Sequence, residues 1–171
     1  MFGTAGNSIR LMFRRELFGP VSLAGYSCIH TLSRDPREMY FKIACQWRDF
    51  AATAGNLKRL PPRLGYGVCL SLDINRRQME YVSCLVVAAK EDVPQELSCL
   101  ILPELDCAVF DHHGDAALLP CTLQSIFDTV LPEEGLYPVT FGAPAFIQRF
   151  SERFDPLTGM GGLEILVPLE N

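Results

Sequence analysis

Residues 21–50, VSLAGYSCIHTLSRDPREMYFKIACQWRDF, change hydrophobic period halfway along, and that change decides the fold. Val21 to Thr31 is mostly apolar and rich in β-forming residues, which reads as a strand. Ser33-Arg34-Asp35-Pro36 then supplies a helix start, with Asp35 as N-cap and Pro36 at the first helical position, where its missing N–H costs nothing. Beyond it Met39, Ile43, Trp47 and Phe50 recur at spacings of four, four and three, one stripe of a helix surface. Gly55-Asn56 ends the helix.

Working outward, Leu60-Pro61-Pro62 is a loop, and two strands follow, Tyr66 to Leu72 and Met79 to Ala89. The polar turn Asp73-Ile74-Asn75-Arg76-Arg77 joins them as a hairpin. Glu91 to Pro94 reads as a linker, after which the order repeats. Leu105 to His113 alternates apolar and polar residues, Leu119 to Val130 is apolar at helical spacing, and PEEGLYPVTFGAP forms a Pro/Gly-rich loop. Ala145 to Phe154 and Leu163 to Leu169 make a second hairpin around Asp155-Pro156-Leu157-Thr158-Gly159.

Each half, about 20–90 and about 100–171, therefore reads strand, helix, strand, strand. A unit of that size leaves an apolar sheet face exposed and is marginal alone. Two of them, paired through their sheets or packed face to face, give an α+β domain with pseudo-twofold symmetry. Its sheet is mainly antiparallel, it carries two helices, and its ligand cleft is predicted at the junction.

Composition narrows the function. The 171 residues are 49% hydrophobic and 20% charged with net charge −5, a globular and mildly acidic chain. That argues against direct nucleic-acid binding, which calls for a basic face. Arg14-Arg15 and Lys58-Arg59 are too short to make one and read as solvated surface. No apolar run approaches the roughly 20 residues that span a bilayer. The first 17 residues are broken by Asn7, Arg10 and the two arginines, so they lack the apolar centre of a secretion signal. A cytoplasmic protein is expected. Cysteines 28, 45, 69, 84, 99, 107 and 121 are odd in number and nowhere spaced as CxxC, so they read as core residues. With His112-His113 the only histidine pair, no metal site and no cofactor are predicted.

The C-terminal stretch FIQRFSERFDPLTGMGGLEILVPLEN resembles the closing hairpin of the gyrase-inhibitor-like (GyrI-like) family, which includes effector-binding domains of AraC-type and MerR-type drug-responsive regulators. Phe146, Phe150, Phe154-Asp155-Pro156, Thr158-Gly159, Leu163-Glu164-Ile165 and Val167-Pro168 carry the likeness. Phe110-Asp111-His112-His113-Gly114 and Leu131-Pro132-Glu133-Glu134-Gly135 support it, and Gly25, Gln46 to Phe50, Tyr66-Gly67-Val68 and Met79 to Val82 match more loosely. The resemblance implies a bacterial protein with a duplicated β-α-β-β fold that recognises lipophilic cations.

It also nominates Glu164 as the acid at the bottom of a drug pocket. In the strand LEILVPL this is the one charge in an apolar run, and a buried carboxylate selects for positive charge because only a cation offsets its desolvation. The bland alternative puts Glu164 on a solvated face. Tyr81, in the corresponding strand of the first half, is expected opposite it with a ring face for cation–π contact. Trp47, Phe50, Tyr26, Tyr66, Phe110 and Phe146 complete the predicted wall.

The leading expectation is a non-catalytic sensor or sequestering module for a small lipophilic cation. The 18 or so residues before the first predicted strand are too few for a helix-turn-helix domain, so regulation would pass through a DNA-binding partner, or through a protein target such as DNA gyrase. A hydrolase with Glu164 as general base is the rival; the chain shows no nucleophile elbow, phosphate loop or metal spacing in its favour. Haem binding is a third reading, with only His30 and His112 as axial candidates.

Overall fold

The computed structural model describes residues 11–57 and 65–170; the predicted Leu60-Pro61-Pro62 loop and the Lys58-Arg59 pair lie outside them. Eight strands form one sheet: β1 (Phe13–Phe18), β2 (Val21–Thr31), β3 (Gly65–Asp73), β4 (Gln78–Val86), β5 (Ser98–Leu102), β6 (Leu105–His112), β7 (Phe146–Phe150) and β8 (Leu163–Pro168). Helix α1 (Pro36–Thr53) follows β2. Asp35 caps it as predicted, its carboxylate accepting from the Arg37 N–H at 2.9 Å, a cap of the kind worth about 1 kcal/mol.

The second helical stretch is less regular. A 3-10 turn (Ala116–Leu118) leads into α2 (Leu119–Ser125), a π-helical turn (Ile126–Val130) and a last α-helical turn, α3 (Leu131–Glu133). Pro132 has no N–H to offer the Asp128 carbonyl, and the ladder widens just ahead of it.

All the pairings are antiparallel and the order is β1-β6-β8-β7-β3-β4-β2-β5. Exchanging β1 with β5, β2 with β6, β3 with β7 and β4 with β8 returns the same order reversed. The two β-α-β-β halves meet at the β3–β7 pair, from Gly65↔Phe150 to Cys69↔Phe146. Of the two predicted arrangements, the halves thus pair their sheets.

Two edge strands escape the sequence reading, and each belongs to the other half's sheet: β1 lies on β6, and β5 on β2. Both edges are tied back by short connections, Gly19-Pro20 and Pro103-Glu104. These cross so closely that a Cβ on Gly19 would fall 2.5 Å from the Pro103 carbonyl oxygen. The sheet curls accordingly. Phe18 on β1 stacks against Tyr66 on β3 at 5.5 Å between ring centroids, although three strands separate them in the sheet.

Alternation along the strands divides the core. One face carries the helices and buries Tyr81, Phe110, Phe146 and Ile165 against them. Among the described residues the concave face carries no helix, yet Val68, Ile147 and Leu166 on it are fully buried by the curl. At about 2 kcal/mol for each such side chain, a flat sheet would forgo much of that burial.

Candidate functional site

One row of side chains crosses the junction on the concave face. In register from strand to strand it runs Cys84, Tyr66, Arg149, Glu164, Asp111. Arg14 and Glu16, from edge strand β1, reach over it. The result is a cluster of two arginines and two glutamates set at the rim of an apolar sheet face.

Arg149 is its hub. Its Nη1 and Nη2 donate to the two carboxylate oxygens of Glu16 at 2.6 and 3.0 Å, and its Nε donates to Glu164 Oε2 at 2.6 Å. The other Glu164 oxygen, Oε1, accepts from Arg14 Nη2 at 2.5 Å. Arg14 also lies 3.4 Å from Glu16 Oε2 and 4.0 Å from Asp111 Oδ1. Side-chain exposure is 14% for Arg149, 23% for Glu164 and 48% for Arg14. Burial alone would raise the Glu164 carboxyl, but hydrogen bonds from Arg149 and Arg14, with their charges, outweigh it and hold the group below its usual range. Glu16 is lowered too, chiefly by its hydrogen bonds to Arg149. Burial pushes the neighbouring Tyr66 phenol up, so it stays neutral.

Two expectations are corrected here. Glu164 is partly buried, but it is not a lone charge in a ring-lined hollow: both its oxygens are held by guanidinium groups. Arg14, read as solvated surface, is one of the two holders. A charge pattern two residues long in β1 gave no hint that the strand would lie across the other half of the sheet.

The predicted wall splits between the faces. Tyr66 alone among the aromatic candidates shares the concave face with Glu164. Tyr81 does not lie opposite Glu164; it sits fully buried on the helix-bearing face, where Trp47 Nε1 donates to its hydroxyl at 3.1 Å and the hydroxyl donates to Gln148 Oε1 at 2.5 Å. Trp47 and Phe50 meet edge to face beneath α1, and Phe110 and Phe146 fill the core of the same side. Tyr26 lies exposed on β2, its carbonyl accepting from Gln46. Strand parity alone explains the split: neighbouring residues point to opposite faces, so one side cannot collect them all.

His30 is engaged by Gln46 at 2.5 Å, and His112 is held between Thr122 and the Asp115 carbonyl, so neither is presented as an axial ligand. Among the described residues no group of three or more His, Cys, Asp or Glu is placed to hold a metal ion. No described helix is long and apolar enough to cross a membrane. A shallow cavity of about 300 Å³ opens between Val21, Val86 and Ile101, away from the charged cluster. Its walls carry no ionisable side chain, so it offers no charge to a cation.

The family described as Cass2, integron-associated effector binding protein, matches residues 20–146. No curated protein sequence matches the chain significantly. Among solved structures the chain is similar to SAV2435 bound to tetraphenylphosphonium, with TM-score 0.67 and 13% identity over 94% of this chain and 95% of that one. It is similar to EcmrR in a complex with DNA, with TM-score 0.70 and 11% identity over 95% of this chain and 59% of that one. It is also similar to an integron cassette protein from Vibrio cholerae, with TM-score 0.58 and 12% identity over 94% and 99% of the two chains. At these identities the likeness shows the fold alone.

Proposed function

Because the chain belongs to the family of integron-associated effector-binding proteins, we propose that it binds a small lipophilic cation on the concave face, at Glu164 beside Tyr66. The observation that carries this reading is a partly buried carboxylate, separated from the Tyr66 ring in the row by Arg149, at the rim of an apolar sheet face. Such a carboxylate needs hydrogen-bond donors or positive charge at its oxygens to offset desolvation. Arg149 is fixed on one, and the other is satisfied from the exposed side of the cluster. A bulky aromatic cation brings apolar area for Tyr66 and its neighbours and positive charge for Glu164. Tetraphenylphosphonium, the ligand of SAV2435, is a compound of this class.

The role is binding rather than hydrolysis. A general base at neutral pH works best with its pKa near the operating pH, and the two arginines move Glu164 the other way. Effector binding would be reported to a DNA-binding partner, in keeping with EcmrR, a relative of the same fold found on DNA.

The test is isothermal titration with tetraphenylphosphonium and with neutral triphenylphosphine oxide. Wild type is expected to bind the cation. Glu164→Gln leaves Arg14 and Arg149 with Glu16 and, for Arg14, Asp111, so the cation is expected to weaken by more than about tenfold while the neutral compound is unaffected. Equal loss of both compounds, or no binding of the cation by folded wild type, rejects the reading.

A further inference from the structure

Glu164 is held by two arginines that differ in how easily they can leave. Arg149 comes from an interior strand, is 14% exposed, and makes three hydrogen bonds to two carboxylates. Withdrawing it would strand both Glu16 and Glu164. Arg14 comes from edge strand β1, is 48% exposed, and has one short contact, to Glu164 Oε1. Its other neighbours, Glu16 Oε2 at 3.4 Å and Asp111 Oδ1 at 4.0 Å, stand at the fringe of pairing distance. Asp111 is 61% exposed, so Arg14 can turn outward onto it and remain paired.

We propose that Arg14 is a tethered stand-in for the ligand: its guanidinium occupies the cationic subsite at Glu164 Oε1, and the effector binds by displacing it toward Asp111. This rests on the reading of Glu164 as the ligand's charge partner. With Arg14 in place, two positive and two negative charges cancel. With Arg14 turned away, Arg149 faces Glu16 and Glu164 alone, and the net charge of minus one at a partly buried position is satisfied by an incoming cation.

Two consequences follow from the competition. Most of the empty protein keeps its partly desolvated carboxylate paired. The apparent affinity is lowered by the fraction of molecules in which Arg14 still holds Glu164, because only the displaced form can take the ligand's charge. Small hydrated ions gain little there, since they bring no apolar area to offset the lost Arg14 contact. Only a cation with a large apolar body repays the exchange, which makes Arg14 a device for selectivity as well as for charge balance.

The experiment titrates tetraphenylphosphonium and triphenylphosphine oxide into wild type, Arg14→Gln and Asp111→Asn, with folding of each checked by circular dichroism. Arg14→Gln is expected to bind the cation about tenfold more tightly than wild type, with the neutral compound unchanged. Asp111→Asn removes the outward partner of Arg14 and is expected to weaken the cation several-fold. If wild type binds the cation and Arg14→Gln binds it equally or more weakly, the displacement is wrong while the site stands. If folded wild type does not bind it, the site is wrong and the displacement falls with it.

Discussion

The Tyr81 hydroxyl donates to Gln148 Oε1 at 2.5 Å, a bond that crosses over β3 and so ties β4 of one half to β7 of the other. It passes where Gly67 lacks a side chain. A Cβ at that position would lie 1.8 Å from the hydroxyl and 2.4 Å from the amide oxygen. Gly67 is therefore a requirement of the junction and not of its own backbone.

Gly67→Ala is expected to cost about 3 kcal/mol, because the methyl group must expel a buried hydrogen-bonded pair in a region with no slack. Tyr81→Phe is expected to cost less, about 1–2 kcal/mol, since it keeps the packing but leaves Gln148 and Trp47 short of a partner. Urea denaturation followed by circular dichroism measures both. A Gly67→Ala protein as stable as wild type would mean the two halves do not depend on this contact.

Acid stability is expected to follow the charged cluster. Glu16 and Glu164 are both held below their ordinary value of 4.5 in the folded protein. The unfolded chain therefore takes up their protons first as pH falls. The stabilisation they supply is full above about pH 4.5 and is lost as pH drops through the lower folded values. Arg149→Gln removes the hub of the cluster. It is expected to cost about 2 kcal/mol at pH 7, less than a fully buried pair because the cluster is partly hydrated, and to flatten the dependence between pH 5 and 3. Urea midpoints measured across that range for both proteins decide the matter; parallel curves would remove Arg149 as the cause.

The thiols should divide by depth. Burial pushes Cys69 and Cys107 up to about 12 and raises Cys84 as well, whereas Cys121 is exposed. The thiolate is the nucleophile, so at pH 8 the three buried cysteines are expected to react with iodoacetamide at least about 100-fold more slowly than Cys121. Peptide mass spectrometry after timed labelling reads this directly. Fast labelling of Cys69, which lies on the β3–β7 pair, in native protein would show the junction opening.

The regular part of this fold was legible because periodicity records burial. The strand Val21–Thr31 and the Asp35-Pro36 helix start were readable to the residue, since one switch of period and one cap define them. The edge strands were not. FRRELF in β1 carries three charges, as solvent-facing edges do, and only its pairing with β6 shows it to be sheet. For the site, Glu164 stood out as a charge in an apolar run, but its partners lie 150 and 15 positions away in sequence. Spacing carries no information at that range, and the face each aromatic takes depends on register between strands. The acid could be nominated; the two arginines that neutralise it could not.

Those faces give a last prediction that separates the two sides of the sheet. If the effector lies at Glu164, its aromatic contact is Tyr66, packed on Phe18, and not Trp47, which lies beneath α1 on the other side. Tyr66→Leu is expected to weaken tetraphenylphosphonium about fivefold to tenfold through loss of the ring face, a contact of roughly 1 kcal/mol. Tyr66→Phe keeps that face and is expected to change affinity little. Trp47→Phe is expected to leave affinity alone while lowering stability, because Trp47 Nε1 no longer donates to Tyr81. Titration calorimetry on the three variants, each checked for folding, gives the ranking. If Trp47→Phe weakens the cation as much as Tyr66→Leu does, the ligand sits between helix and sheet and Glu164 is not its charge partner.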